Sequence, residues 1–166
     1  MQPAENWDAV VTFEGSGKGN PVDYVAGVDL GTSSCKVTTL TQDGVATHAT
    51  SRTYRINSPR QDWAEQDPES WVGVVQGTLD ECLKAAGVAS SDDVTVSFTG
   101  QMHSLVALNE RGDVIRPAIL WCDRRAVRQA EAVEEAVPDF TARTGNPALP
   151  AFTLPQLMWL REIERS

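Results

Sequence analysis

Short runs of β-branched and apolar residues in the first third of the chain predict three β-strands. The runs span residues 24–29, 36–41 and 45–54, and the third is more polar than the others. Asp43-Gly44, between the second and third runs, is a favoured two-residue hairpin turn. Because connections this short join antiparallel neighbours, the sequence predicts an antiparallel meander here.

A helix is predicted after the meander, because its start signal, its end signal and its apolar spacing agree. Asp67 is a favoured N-cap, Pro68 suits the first helical position, and Gly87 suits the end. Apolar residues recur between these signals at helical spacing and should form the buried face: Trp71, Val75, Leu79, Cys82, Leu83 and Ala86.

The second half of the chain predicts further strands followed by helices. The strands are expected at residues 94–98, 104–109 and 119–120, and the helices at residues 124–137 and 154–163. The resulting order, β-β-β-α-β-β-β-α-α, predicts an α/β fold. Its mixed sheet would contain the antiparallel meander and be flanked by the helices.

Residues 1–23 differ from the rest of the chain, and we predict that they form a flexible leader. They include residues 15–21, Gly-Ser-Gly-Lys-Gly-Asn-Pro, a stretch that is costly to order. The stretch is not a P-loop, because Thr12 and Gly19 stand where that motif needs Gly and Ser or Thr. The chain ends in a helical pattern without a cap, so residues 24–166 are expected to be an incomplete lobe of a larger fold.

Composition and charge exclude several classes of function. The net charge of −9 gives the chain no general reason to bind nucleic acid or an anionic membrane. No apolar run approaches the ~20 residues needed to cross a bilayer, and the N-terminal residues lack the features of a secretory signal. The three cysteines form no C-x-x-C pair, which fits neither a disulfide framework nor a zinc site. We therefore expect a reduced, cytoplasmic protein.

The most informative segment is Asp29-Leu30-Gly31-Thr32-Ser33-Ser34-Cys35-Lys36, where a strand delivers a carboxylate to a glycine turn. Backbone amides in such a turn form an anion nest, and a lysine adds positive charge for phosphate oxygens. Asp29 can hold Mg²⁺ beside those phosphates, directly or through water. An ordinary hairpin with Asp as a turn former has the same pattern, and the spacing alone leaves both readings open.

Two further segments place sugar-compatible side chains after predicted strands. Gln101 and His103 follow Gly100, and both side chains can donate and accept hydrogen bonds with sugar hydroxyls. His103 also fits as a partly buried structural histidine. Trp121 can stack on the C–H face of a sugar while Asp123 accepts hydroxyl protons. The alternative is that Trp121 belongs to the core and that Asp123 caps the following helix.

Together these segments resemble the FGGY-type carbohydrate kinases. Residues 28–36 resemble the first phosphate loop of the sugar-kinase and actin ATPase superfamily, and residues 63–71, Trp-Ala-Glu-Gln-Asp-Pro-Glu-Ser-Trp, resemble the FGGY segment after the third strand. Further matches are to xylulokinases in particular, and they lie at residues 100–103, 116–124, 144–146 and 152–160.

The resemblance implies a ribonuclease H-like, actin-like ATPase fold and transfer of the γ-phosphoryl group of ATP to a ketose, above all D-xylulose. It implies that Asp29 positions Mg²⁺, through water, as the one catalytic contribution of this chain. The residues that would face the phosphates are Gly31, Thr32, Ser33 and Lys36. The residues that would contact the sugar are Met102, His103, Trp121 and Asp123, to which the pattern of polar side chains adds Gln101.

The sequence departs from the family pattern at several points. Cys122 replaces the Asn usual in xylulokinases, and Gln156 stands at a position, expected to be on the surface, where the family often has Lys. The general base of the family is an Asp in a downstream segment, and adenosine is held mainly by a second lobe. The resemblance therefore implies that this chain is the N-terminal part of the first lobe and is inactive alone.

Three alternatives stay open on the sequence. The chain could belong to another FGGY kinase, which acts on gluconate, ribulose or glycerol. It could be a catalytically silent fragment that only binds sugar. An apolar face left by the missing part could also pair two copies in a homodimer.

Overall fold

The structure is a computed structural model that describes residues 23–163. The predicted leader, apart from Asp23, lies outside these residues. In chain order the elements are β1 (Tyr24–Leu30), β2 (Ser34–Thr41), β3 (Ala46–Thr53), β4 (Glu65–Gln66), α1 (Pro68–Ala85), β5 (Val94–Gly100), β6 (Ala118–Ile119), α2 (Val127–Ala136), α3 (Phe140–Thr144) and α4 (Thr153–Ile163).

The larger sheet has four strands in the order β3-β2-β1-β5. β2 is antiparallel to both β1 and β3, which confirms the predicted meander. β5 lies parallel to β1, so the sheet is mixed as expected, and Leu30 pairs with Gly100 at the end of this ladder. The carboxyl ends of β1 and β5 therefore meet at one edge, and the segments that follow these two strands are neighbours.

The main core lies between one face of the sheet and helix α1. Alternate residues of β1 and β2 supply the sheet side, and α1 supplies a buried cysteine; the fully buried apolar members are Ala26, Val28, Cys35, Val37 and Cys82. The buried hydroxyl of Thr39 lies 3.2 Å from the Cys82 sulfur, so this polar group has a partner inside the core.

Helix α1 begins and ends where its sequence signals predict. The Asp67 carboxylate accepts a hydrogen bond of 3.0 Å from the Glu69 amide, and Pro68 occupies the first turn. Gly87 follows the helix with a φ of +75°, the left-handed conformation that glycine adopts readily. Trp71 and Cys82 lie on the buried face, as expected.

The region between β5 and α2 differs from the prediction. Residues 104–109 do not form a strand but make isolated bridges, one of which joins Leu105 to Ile119 and another Leu108 to Val114. Each bridge is a single pair, so no ladder propagates along the run despite its strand-like composition. β6, which overlaps the predicted strand at residues 119–120, instead pairs with β4. The sequence did not predict β4, whose two residues show no period.

Both predicted C-terminal helices are present, and a short helix that was not predicted, α3, lies between them. Two further features differ from expectation. Helix α2 begins at Val127 rather than Arg124, because residues 124–126 form a turn beside the buried Asp123. In α4, Gln156 is fully buried (0% exposed) and donates a hydrogen bond of 3.3 Å to the Ala151 carbonyl, so it is not a surface residue. Within residues 23–163, no helix is long and apolar enough to cross a membrane.

Candidate phosphate and sugar site

The turn between β1 and β2 is tight. The Gly31 amide donates to the Ser34 carbonyl oxygen at 2.9 Å, which closes the turn. A Cβ atom at Gly31 would lie 3.3 Å from that same oxygen, closer than most Cβ contacts. Because glycine has no Cβ, residue 31 can lie this close to the Ser34 carbonyl oxygen and the turn can stay tight.

Tyr54, directly after β3, stabilises this turn through hydrogen bonds to its carbonyl oxygens. Its hydroxyl contacts the carbonyl oxygen of Gly31 and lies 3.1 Å from that of Ser34. Its amide donates to the Ser33 carbonyl at 3.0 Å. Burial, followed by the nearby charges of Cys35 and Asp29, raises the pKa of Tyr54 to about 12, so the hydroxyl stays a donor at neutral pH. The sequence does not predict this role for Tyr54, because the carbonyl oxygens that it contacts are distant in the chain.

The amides of Thr32 and Ser33 are the donors that the turn offers to a ligand. Within residues 23–163, neither amide has a hydrogen-bond acceptor, and Ser33 is exposed. Successive unpaired amides in a glycine-containing turn are the donors of an anion nest. The geometry is therefore compatible with the predicted phosphate site at Gly31, Thr32 and Ser33.

Asp29 and Lys36 lie next to the turn on one face of the sheet. They are direct cross-strand partners in β1 and β2, and Thr99 of β5 is the partner of Asp29 on its other side. Residues directly opposite in neighbouring strands point to the same face. Within residues 23–163 the exposed Asp29 carboxylate has no hydrogen-bond or ion-pair partner, so it is available to a cation.

The donor set fits a magnesium ion that arrives with a nucleotide. Mg²⁺ keeps several waters and binds one or two carboxylates together with substrate phosphates. Asp29 supplies one such carboxylate beside the turn. The described part of the chain holds no group of three or more His, Cys, Asp or Glu side chains that could form a cage made of protein ligands alone.

Gln101 lies against the turn rather than in an open pocket. Its amide donates to the Leu30 carbonyl at 3.0 Å, which ties the end of β5 to the end of β1. Its side-chain oxygen accepts from the hydroxyls of Thr32 at 3.3 Å and Ser104 at 3.1 Å. The acceptor end of Gln101 is therefore occupied within the protein.

Met102 and His103 form the exposed part of the next segment. Met102 is 73% exposed, and His103 has a φ of +64°, a conformation that few residues other than glycine adopt. The His103 ring lies 4.7 Å from the ring of Phe152, measured between centroids. These two rings help to line an open cleft of about 280 Å³ to which Asn146 also contributes. The segment thus offers an imidazole and a thioether to a ligand.

Trp121 joins the sugar-compatible side chains to the turn. Its indole Nε1 donates to the Thr32 hydroxyl at 2.8 Å, and its amide donates to the Ser104 hydroxyl at 3.2 Å. The side chain is 48% exposed, so the alternative that it belongs to the core is wrong. An exposed indole face therefore lies beside the turn with the unpaired amides.

Asp123 does not lie where the sequence predicted. It is 1% exposed, and one carboxylate oxygen accepts from the Ala64 amide at 2.6 Å. The other accepts from the Arg125 amide at 2.8 Å, and the Arg125 guanidinium forms an ion pair with the same carboxylate. Because its oxygens are occupied, Asp123 is not placed to contact a sugar, and it does not cap α2, whose N-cap is Ala126.

A buried ion cluster supports the segment that carries Trp121. Glu65 pairs with Arg116 at 2.6 Å and with Arg125 at 2.7 Å. The Arg125 guanidinium carbon lies 3.7 Å from the ring centroid of Trp63. The sequence does not predict this cluster, because the pairing joins positions far apart in the chain.

Known proteins resemble this chain over most of its described length. Residues 24–166 match the model of the FGGY family of carbohydrate kinases, N-terminal domain. The chain is 37% identical over 142 residues to the xylulose kinase of Bacillus subtilis, covering 85% of this chain and 28% of the relative. It is 39% identical over 140 residues to the xylulose kinase of Escherichia coli, covering 83% and 28%.

A solved structure shows the same fold. The xylulose kinase from Rhodospirillum rubrum superposes with a TM-score of 0.78 at 30% identity, covering 85% of this chain and 29% of that one. The chain spans about 28% of the length of the curated relatives that it matches. These matches confirm the predicted family and the mixed α/β fold. The chain belongs to the FGGY family of carbohydrate kinases, with the fold of the actin-like ATPases.

Proposed function

We propose that the complete protein transfers the γ-phosphoryl group of ATP to D-xylulose and forms D-xylulose 5-phosphate. The observation that carries the proposal is the hydrogen bond of 2.8 Å from the Trp121 indole to the Thr32 hydroxyl. It joins an exposed aromatic face, suited to a sugar, to a turn with unpaired amides, suited to phosphate. A phosphoryl donor and a sugar acceptor bound at these places are neighbours, as transfer requires.

The turn and its flanking residues bind the phosphates in this proposal. The amides of Thr32 and Ser33 donate to phosphate oxygens, and Gly31 allows the phosphates to approach the backbone. Lys36 adds a positive charge on the same sheet face as Asp29. Asp29 holds Mg²⁺ through water; when bound, the ion neutralises charge on the phosphate oxygens.

The sugar lies between Trp121 and the segment of Met102 and His103. The exposed indole covers the C–H face of the ketose, and the His103 imidazole exchanges hydrogen bonds with its hydroxyls. Gln101 acts indirectly, because its side-chain oxygen already accepts from Thr32 and Ser104. It sets the position of these groups rather than contacting the sugar through that oxygen.

This chain supplies positioning and charge rather than the general base. Asp29 is the metal-holding residue, and the buried Asp123 is fully engaged with Ala64 and Arg125. The resemblance assigns the base to a downstream segment and the adenosine contacts to a second lobe. We therefore expect the 166-residue chain alone to show no turnover.

The two relatives from Bacillus subtilis and Escherichia coli are xylulose kinases, which supports a ketose over the other acceptors. The test is coupled ADP release by the protein expressed from its complete coding sequence, with D-xylulose, D-ribulose, gluconate and glycerol in parallel. We expect the highest kcat/KM with D-xylulose. A preference for gluconate would overturn the choice of sugar, and the lack of ADP release with every acceptor would overturn the kinase proposal.

A second arm of the same assay tests the role of the isolated chain. The 166-residue protein is mixed with ATP, Mg²⁺ and D-xylulose at the enzyme concentration used for the complete protein. We expect no sugar-dependent ADP release. Xylulose-dependent turnover by this chain would show that the base and the adenosine contacts lie within it.

A further inference from the structure

Gln66 is buried between the turn and helix α1, and its amide uses all of its hydrogen-bonding capacity. Gln66 is 4% exposed. Its Nε2 donates to the carbonyl oxygens of Thr32 at 2.8 Å and Arg55 at 3.2 Å. Its Oε1 accepts from the Trp71 indole at 3.0 Å and from the Gln101 amide group at 3.5 Å.

The chemistry of these partners fixes the orientation of the amide. Backbone carbonyls only accept hydrogen bonds, and an indole N–H only donates. The Gln66 nitrogen must therefore face Thr32 and Arg55, while its oxygen faces Trp71. A carboxylate of the same length has no N–H to donate, and an aliphatic side chain satisfies none of the four partners.

The bond to the Thr32 carbonyl has a consequence for the neighbouring amide. The Thr32 carbonyl and the Ser33 N–H belong to one planar peptide group, and in a trans peptide they point in opposite directions. Because Gln66 holds the carbonyl toward the buried side, the Ser33 N–H points toward the opposite side. Ser33 is exposed, and its amide has no acceptor within residues 23–163.

The same amide is also connected to the sugar-compatible side chains. Gln101 donates to Gln66 and accepts from the Thr32 hydroxyl, and Thr32 in turn accepts from Trp121. Ser104 donates to Gln101 and accepts from the Trp121 amide. These contacts form closed rings of hydrogen bonds, so the positions of the turn and of Trp121 depend on one another.

We propose that Gln66 is a positioning residue that aims the Ser33 amide at the phosphates and sets Trp121 through Thr32 and Gln101. The proposal rests on the proposed sugar-kinase function. Loss of the Gln66 amide frees the peptide between Thr32 and Ser33 to rotate. This weakens phosphate binding and also misplaces the indole against the sugar.

The main test replaces Gln66 with Met, which keeps the length and removes every hydrogen bond. Kinetics are measured on the protein expressed from its complete coding sequence. We expect the KM for ATP to rise about 10-fold, which corresponds to the loss of about one hydrogen bond between the turn and a phosphate oxygen. The KM for D-xylulose should rise as well. The matched control is Trp71→Phe, which removes one partner of the same amide on the side away from the turn.

The control separates positioning from stability. Trp71→Phe lowers the melting temperature but leaves Nε2 bonded to Thr32 and Arg55, so both KM values stay at wild type. If Gln66→Met leaves both KM values unchanged, Gln66 does not position the turn. If both variants change KM in proportion to their loss of stability, its role is purely structural and the proposal fails.

A pH profile of Gln66→Glu provides a readout that a structural role would not give. The carboxylate faces two carbonyl oxygens in a buried place, whereas its protonated form donates one hydrogen bond to Thr32. We expect the activity of Gln66→Glu, relative to wild type, to rise as the pH is lowered. A ratio that does not change with pH, or an equal trend in Gln66→Met, would contradict the proposed contact.

Hydrogen exchange keeps the test independent of sugar turnover. The Gly31 and Tyr54 amides are bonded to carbonyls of the turn and report on its order. We expect both to exchange faster in Gln66→Met than in Trp71→Phe. If wild-type protein phosphorylates no sugar but this difference is seen, the proposed function fails and the role of Gln66 in ordering the turn stands. If wild-type protein is active and the difference is absent, only the Gln66 proposal fails.

Discussion

Tyr54→Phe removes one oxygen atom and leaves the ring in place. The ring packs against the main core and against a second group of buried side chains, Ala64, Trp71, Ala118 and Leu120, so its apolar contacts are retained in the variant. The lost hydroxyl contacts the carbonyl oxygens of Gly31 and Ser34 at the base of the turn. A net hydrogen bond is worth about 0.5–1.5 kcal/mol and an acceptor left without a donor costs more, so we expect a loss of about 1–2 kcal/mol.

Urea unfolding measures this loss, and the second tyrosine of the chain provides the control. Tyr24 is half-buried at the start of β1, and its hydroxyl has no hydrogen-bond partner within residues 23–163. Tyr24→Phe should therefore change the free energy of unfolding by less than about 0.5 kcal/mol. In a domain of this size, the Tyr54 variant should also melt about 2–8 °C lower. Equal unfolding midpoints for the two variants would refute the idea that Tyr54 holds the turn.

The raised pKa of Tyr54 extends this prediction to alkaline pH. Burial raises the pKa of the phenol from 10.0 to about 12, so between these values the folded state binds more protons than the unfolded state. Its contribution is complete below pH 10 and is lost as the pH rises toward 12. The difference in stability between wild type and Tyr54→Phe should shrink over this interval. A stability difference that stays constant over this interval would contradict a half-buried hydroxyl that stays protonated in the folded state.

The remaining predictions concern the buried ion cluster and the thiols. Glu65→Gln leaves two arginines without their shared carboxylate and should lower the free energy of unfolding by about 3–5 kcal/mol. Glu81→Gln breaks an exposed pair and should cost less than about 1 kcal/mol in the same urea titration; equal losses would refute the cluster. In a thiol titration, Cys122 should react in the folded protein, and Cys35 and Cys82 only after unfolding. Reaction of all three thiols at one rate in the folded protein would contradict the burial of Cys35 and Cys82.

The sequence predicted the elements whose signals are local. Helix α1 has its start at Asp67 and Pro68 and its end at Gly87, all within the chain segment that they control. The meander likewise follows from short connections between neighbouring runs. The parallel pairing of β5 with β1 depends on α1 crossing over the sheet. The composition of β5 does not indicate which strand it pairs with.

The roles of Tyr54 and Gln66 could not be predicted, because their partners are distant in sequence. Tyr54 reaches carbonyls 20 and 23 residues away, and Gln66 reaches a carbonyl 34 residues away. A tyrosine at a strand end and a glutamine before a helix are ordinary in any sequence. Their importance arises only when the fold brings backbone acceptors to them.

The burial of Asp123 could not be predicted either. Its carboxylate is a group that can bind sugar hydroxyls, but the fold places it in the interior. A carboxylate near an exposed tryptophan suits a sugar site, and Trp121 is indeed 48% exposed. The partner that buries Asp123 is the amide of Ala64, which lies 59 residues earlier in the chain. The alternation of exposed and buried positions in this turn is set by that contact and cannot be read from spacing.

The most direct measurement of the central claim is D-xylulose-dependent ADP release by wild type and Asp29→Asn, each expressed from its complete coding sequence. Asp29 is exposed and unpartnered within residues 23–163, so the variant should unfold at the wild-type urea midpoint. We predict that wild type releases ADP only when ATP, Mg²⁺ and the sugar are all present, and that Asp29→Asn lowers kcat by about 100-fold or more. A kcat of Asp29→Asn equal to that of wild type would contradict phosphoryl transfer at this turn. So would a rate of ADP release that is the same with and without D-xylulose.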